Sequence, residues 1–227
     1  MREAGTIRKF WWILQKDWTM EMRTKDRWVA MMAFVLMTVF LFAFAMGSAS
    51  ARISAAFPGI LWMAFLFAGM IGMKAIFGHE MPEETLTGLI LAPGDRTAVY
   101  LAKMAGSLIF MVLVEAASTP IFFALLQEPW PKRWGLLALV LTLGALGFVE
   151  VGTLLSMIGA QMPSGDLILT TLLIPLEIPV MITAVQATAD MLVRGRGSPW
   201  LWIHGLMGYD AIFMALPLML YDYLWEV

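Results

Sequence analysis

Four carboxylates stand in stretches that carry almost no other charge: Glu115, Glu150, Glu177 and Asp210. An ionised carboxylate at the centre of a helix in hydrocarbon costs roughly 2.5 kcal/mol or more on insertion-type scales, so each must face protein or water. Glu177 is the most suggestive, because Pro175 and Pro179 flank it within the run Pro175-Leu176-Glu177-Ile178-Pro179. Each proline removes a helical donor, leaving carbonyls unpaired and the local backbone bent. A bent helix with a buried acid suits the wall of a cavity and a proton relay. A neutral carboxyl hydrogen-bonded to a neighbouring helix accounts for the same residues, and it is the plainer account of Glu115, Glu150 and Asp210.

Other chemistry is thinly represented. There is no cysteine, so the chain itself builds no disulfide, iron–sulfur site or Cys-rich zinc site. No H-E-x-x-H zinc helix, G-x-S-x-G elbow or G-x-x-x-x-G-K-[ST] phosphate loop occurs, and two histidines give no serine a persuasive base. No catalytic and no metal-ligating residue is therefore expected. A net charge of −2 leaves no broad basic surface, and nucleic acid is not an expected partner.

The elements that must position these carboxylates follow from composition. Of 227 residues, 60% are hydrophobic and 14% charged, and mean hydropathy is +0.79. A soluble enzyme is excluded by that balance. Uncharged stretches mark six spans, at about 28–47, 57–73, 101–126, 134–160, 167–189 and 200–221. Backbone groups in lipid must pair within the segment, so the expected fold is an all-α integral membrane protein of six transmembrane helices. Gly152, Ser156 and Ala160 form a small-residue stripe for close helix packing. Trp130, between Pro129 and Pro131 and ahead of Lys132 and Arg133, reads as an interfacial belt.

Lys and Arg set the orientation. Arg2, Arg8, Lys9, Lys16, Arg23, Lys25 and Arg27 precede the first span, and Lys74, Arg96 and Lys103 join them on the same side. The other side has Arg52, Lys132, Arg133, Arg194 and Arg196. The bias places both termini in the cytoplasm of a bacterial or archaeal cytoplasmic (inner) membrane, although loop 161–166 carries no positive charge to hold it inside. Before the first span, Ile7, Trp11, Leu14, Trp18 and Met22 recur at helical spacing. Residues 1–27 therefore predict an amphipathic interfacial helix, tryptophans among the headgroups and cations toward anionic lipid.

Only one loop is long, about 74–100. His79-Glu80-Met81-Pro82-Glu83-Glu84 opens a short helix, Leu86 and Leu89 give it an apolar side, and Pro93-Gly94-Asp95 ends it. A cytoplasmic helix of this kind suits docking into a groove of a soluble partner. The order of elements, with Phe57-Pro58-Gly59-Ile60-Leu61-Trp62, the run from Phe77 through Glu80 to Thr85-Leu86 and Leu89-Ile90-Leu91-Ala92-Pro93, and Leu172-Leu173-Ile174-Pro175-Leu176 with Pro179-Val180, resembles the type-2 ABC exporter permeases. Within them it is similar to the heme exporter protein B family (CcmB), over nearly the whole chain. It departs in carrying Glu84 where that family usually has glycine.

The resemblance implies a single permease domain over 1–227. Its parts are an interfacial helix at 1–27, spans at 28–73, a coupling loop at 74–100, and four further spans at 101–227. It implies a non-catalytic subunit in cytochrome c maturation, its ATP bound by a separate CcmA-like ATPase that contacts His79, Glu80, Pro82, Glu83, Glu84, Leu86 and Leu89. CcmC-like and CcmD-like membrane proteins, a CcmE-like heme chaperone, a second copy of the chain and membrane lipid complete the implied partners. Heme is handled by the complex, with release of the loaded chaperone and heme export as the implied outcomes. No cofactor is expected to be resident in this chain. Twenty methionines read as packing rather than ligation, His79 and His204 fall at opposite faces, and His204 alone is a weak candidate heme ligand. Two other functions are open on the residues: a proton-coupled secondary carrier using Glu177 and its neighbours, and a non-transporting scaffold of the heme-handling complex.

Overall fold

A computed structural model describes residues 2–47, 50–78, 97–159, 165–192 and 198–224. Among the described residues there are seven helices and no strand: α1 (Arg2–Thr24), α2 (Asp26–Met46), α3 (Ser50–Gly78), α4 (Thr97–Leu125), α5 (Trp134–Gly159), α6 (Gly165–Leu192) and α7 (Trp200–Leu224). Five of them, α2 to α6, are long and apolar enough to cross a membrane. Helix α7 has 25 residues, about 37 Å at ~1.5 Å per residue, which suffices for a crossing. His204, Tyr209 and Asp210 dilute its apolar content, and it packs against α5 and α6.

The helices outrun the apolar stretches that predict them. The second span, expected from Phe57, belongs to a helix that starts at Ser50 and continues to Gly78. Hydropathy marks how much chain hydrocarbon will accept, whereas the ladder of N–H to carbonyl bonds continues wherever the next residue can adopt helical angles. Helix α4 likewise begins at Thr97, so only 79–96 of the expected coupling loop are left between helices. Those residues, with His79, Glu80, Pro82, Glu83, Glu84, Leu86 and Leu89, lie outside the described residues, as does 160–164.

Helices α3 and α5 form the centre: α3 touches α2, α4, α5 and α6, and α5 touches α3, α4, α6 and α7. Their contact is built from glycines facing large side chains. A Cβ on Gly69 would stand 2.5 Å from the Phe148 ring, one on Gly152 would stand 2.7 Å from Met73, and one on Gly144 would collide with Trp62. Numbers rise together along both helices in these pairs, so α3 and α5 run parallel. The stripe expected at Gly152 and Ser156 is thus used at Gly152, while Ala160 lies outside the described residues. Trp62 is locked by donating Nε1–H to Thr188 Oγ1 of α6 at 2.9 Å.

Helix α1 forms where expected. Lys25, at φ 59°, breaks the chain between it and α2. Ile7, Trp11 and Met22 lie on an exposed side. Another side docks on α4: Asp17 pairs with the buried Lys103 at 2.9 Å, and Trp18 stacks on Phe110 at 5.3 Å. The Arg27 guanidinium lies 4.5 Å from the centre of the same Phe110 ring, which offers a desolvated cation a favourable π face. Lys103 is buried and Asp17 partly exposed, so removing Asp17 takes away one of the contacts that compensate the buried cation. Asp17→Leu should therefore lower stability by about 2 kcal/mol, and Asp17→Leu with Lys103→Met should recover most of it. Thermal unfolding of the three purified proteins in one detergent checks this; equal losses in single and double variants would show that the pair contributes nothing.

Candidate functional site

Helices α5, α6 and α7 converge on Gly147. A Cβ there would lie 2.9 Å from Asp210 Oδ1, 3.1 Å from Val180 Cγ2 and 3.4 Å from Tyr209 Cδ1. Glycine is required because a side chain from each neighbouring helix already fills that space. Residues three apart share a helix face, so Glu150, three beyond Gly147, and Glu177, three before Val180, point toward the same region as Asp210. The three carboxylates are electrostatically coupled: Asp210 acts on Glu150, and both act on Glu177. Glu150 and Glu177 are fully buried, and Asp210 is 6% exposed. Among the described residues none of their carboxylate oxygens has a hydrogen-bond partner.

Two tyrosines border this cluster. Tyr209 donates its hydroxyl to the Leu176 carbonyl at 2.8 Å. A proline at i leaves the carbonyl of i−4 without its donor, so Pro175 and Pro179 free the carbonyls of Thr171 and Pro175. Tyr209 thus places a donor from a neighbouring helix one residue beyond the second of these. Thr183 Oγ1 bonds back to the Pro179 carbonyl within its own helix at 2.7 Å. Helix α6 runs unbroken through Pro175 and Pro179. Tyr100, at the start of α4, has a buried hydroxyl with no hydrogen-bond partner among the described residues.

Of the intramembrane acids expected from the sequence, the structure unites Glu150, Glu177 and Asp210 and leaves Glu115 apart. Glu115 is buried in α4. Among the described residues, none of the four acids makes the expected hydrogen bond to a neighbouring helix. A narrow cleft reaches Glu177, walled by Trp62, Phe65, Met111 and Phe148. Among the described residues no three His, Asp or Glu side chains are arranged to hold a metal ion, so the cluster is a charge site without chelate geometry. His204 is on the exposed side of α7, its ring 6.2 Å from that of Trp200, away from the buried acids. Sequence reading missed Gly147, Tyr100 and Tyr209. Only Tyr209 carried a signal, its adjacency to Asp210.

Comparison with known proteins bears on what bundle this is. Residues 8–217 match the family model described as CcmB protein. The chain is 27% identical over 173 residues to "Heme exporter protein B" of Pseudomonas aeruginosa, covering 75% of this chain and 77% of that one. It is 27% identical over 175 residues to the protein of that name from Paracoccus denitrificans, covering 77% and 80%. The Rhodobacter capsulatus protein of the same name is 28% identical over 184 residues, covering 81% and 82%. A match over residues 8–217 spans every described helix in whole or in large part, so this bundle of apolar helices belongs to the CcmB family.

Proposed function

We propose that the chain is the permease of an ABC exporter in cytochrome c maturation, of type-2 architecture, with six spans and both termini in the cytoplasm of the inner membrane. The observation that carries this reading is the family match over residues 8–217 on a chain with five helices suited to a membrane. Helix α7, packed on α5 and α6, supplies the sixth span. The relatives' name, heme exporter, supplies the cargo, whether moved through the bundle or released with a CcmE-like chaperone. ATP is bound and hydrolysed by a CcmA-like partner, and CcmC-like and CcmD-like proteins assemble with the chain and its second copy. Absence of a phosphate loop in the sequence accords with a subunit that borrows its motor.

Force from nucleotide turnover enters through residues 79–96, with Glu80, Glu83, Glu84, Leu86 and Leu89 contacting the ATPase beside His79 and Pro82. Reversing Glu80 and Glu83 to lysine together with Leu86→Asp should abolish copurification with a tagged ATPase subunit. It should also cut stimulated ATPase activity by at least about ten-fold, since charged partners at a docking groove are sensitive to inversion. Binding and stimulation that survive the triple variant would sink the coupling assignment.

The convergence of Glu150, Glu177 and Asp210 favours a second reading, a proton-coupled carrier in which these residues relay the proton. Transport by the chain alone in vesicles, abolished when the proton gradient is collapsed, distinguishes it from an ATPase-driven permease.

A further inference from the structure

A cleft of about 510 Å³ opens where α4 ends, α5 begins, α6 ends and α7 begins. It is lined by Trp130, Lys132, Arg133, Leu136, Asp190 and Met191, among others. Its size falls in the range of sites for ligands of a few hundred daltons. Trp130 lies nearly parallel to Phe123, 18° between planes with centres 5.8 Å apart. Trp134 leans on both rings, 5.8 Å from Phe123 and 5.6 Å from Trp130. Trp130 remains 57% exposed, so this aromatic platform is left open. Prolines on either side of Trp130 fix the backbone that carries it.

The polar side of the cleft is cationic. Lys132 and Arg133 are consecutive and exposed, at the start of a helix with no acidic residue in its first turn. The one acid in the lining, Asp190, already accepts a hydrogen bond from Trp202 Nε1 at 3.0 Å. Two cations beside a flat aromatic face, with the thioether of Met191 in the same lining, match a planar amphiphile bearing two carboxylates: stacking for the ring, charge-assisted bonds for the acids, a soft sulfur for iron. A phospholipid phosphate would use the cations but has no need of the platform.

We infer that this cleft is a docking site for a porphyrin dicarboxylate, which rests on the heme-export reading and places a cargo station at the extracytoplasmic mouth of the bundle in the orientation proposed above. The acids of the porphyrin meet Lys132 and Arg133, and its ring lies against Trp130 and Leu136.

The test uses the full chain in phosphatidylcholine nanodiscs, titrated separately with hemin, iron-free protoporphyrin IX and the dimethyl ester of protoporphyrin IX, with binding read from porphyrin absorbance and fluorescence. Lys132→Gln with Arg133→Gln, both exposed and harmless to packing, should weaken hemin and protoporphyrin binding by at least about ten-fold. The ester should bind wild type no better than the diacid binds that variant. Met191→Leu should leave protoporphyrin affinity unchanged while shifting the Soret band of bound hemin. Unchanged affinity in the double variant, or equal binding of ester and diacid, would overturn the inference. Displacement of porphyrin by phosphatidylglycerol that itself requires Lys132 and Arg133 would overturn it too, by making the cleft a lipid site. The coupling variant at Glu80, Glu83 and Leu86 should bind porphyrin as wild type does. Coupling that survives the triple variant therefore counts only against the permease reading, and diacid affinity left unchanged by the Lys132 and Arg133 double variant counts only against the cleft.

Discussion

Replacing Glu177 with leucine is expected to raise the stability of the purified protein by about 1–4 kcal/mol, the range seen when buried charged groups give way to apolar ones of similar volume. In a sound core the same change at a satisfied acid would cost stability, because a donor would lose its acceptor. Among the described residues no oxygen of Glu150, Glu177 or Asp210 has a donor, so nothing is orphaned and the cost of burying an unpaired polar group is removed. Glu150→Gln and Asp210→Asn should each stabilise by less, since an amide keeps a polar group buried. Cytochrome c maturation should fall in the Glu177→Leu cells while the protein accumulates normally, which is the mark of a site retained for function at the expense of stability. Thermal unfolding in detergent beside a heme-stain assay of mature cytochromes reads both quantities. A Glu177→Leu protein that melts earlier than wild type would mean that the Glu177 carboxyl is stabilised by groups from another source.

Gly144→Leu should be the most damaging single change in the bundle. Trp62 stands where even a Cβ would go, and it has no room to retreat. The side chain is 2% exposed and is tied to Thr188 by its indole N–H. Overpacking a close-packed core costs typically about 1–3 kcal/mol, and expelling Trp62 adds the loss of its hydrogen bond, about 1 kcal/mol or more. A total of ~2–4 kcal/mol should sharply reduce the folded protein in the membrane, measured as the yield of monodisperse material on gel filtration. Gly208 supplies the control, since a Cβ added there would meet nothing within 4 Å. Gly208→Ala should leave yield unchanged or raise stability by up to ~1 kcal/mol through helix propensity. Equal yields from Gly144→Leu and wild type would show that α3 and α5 are not in close contact at this level.

How far the sequence could be read is clearest at particular residues. Residues 28–47 and 134–160 are legible as helices because about twenty apolar residues in a row admit no other spanning structure. Pro175 and Pro179 announce disturbed carbonyls. A donor beside them, the Tyr209 hydroxyl on the Leu176 carbonyl, comes from 33 residues away and has no local signal. Gly147 reads as one of many small residues in an apolar helix, and only the arrival of Asp210, Val180 and Tyr209 around it explains why it bears no side chain. The cation at Arg27, expected as a mark of orientation, is also spent on the Phe110 ring.

Taken alone, then, the chain's order of residues determined what hydrocarbon will accept: which stretches become spanning helices, where the acids interrupt them, and the family to which the pattern belongs. Tertiary structure alone decided that Glu150, Glu177 and Asp210 share one buried space while Glu115 does not, and that α3 meets α5 through glycine and tryptophan. The reason is physical. Transfer into lipid is a sum over residues and can be added along a line, but a helix apolar on all sides carries no stripe to say which way it is turned. That rotation is chosen by shape, where one helix offers a notch and another a side chain to fill it.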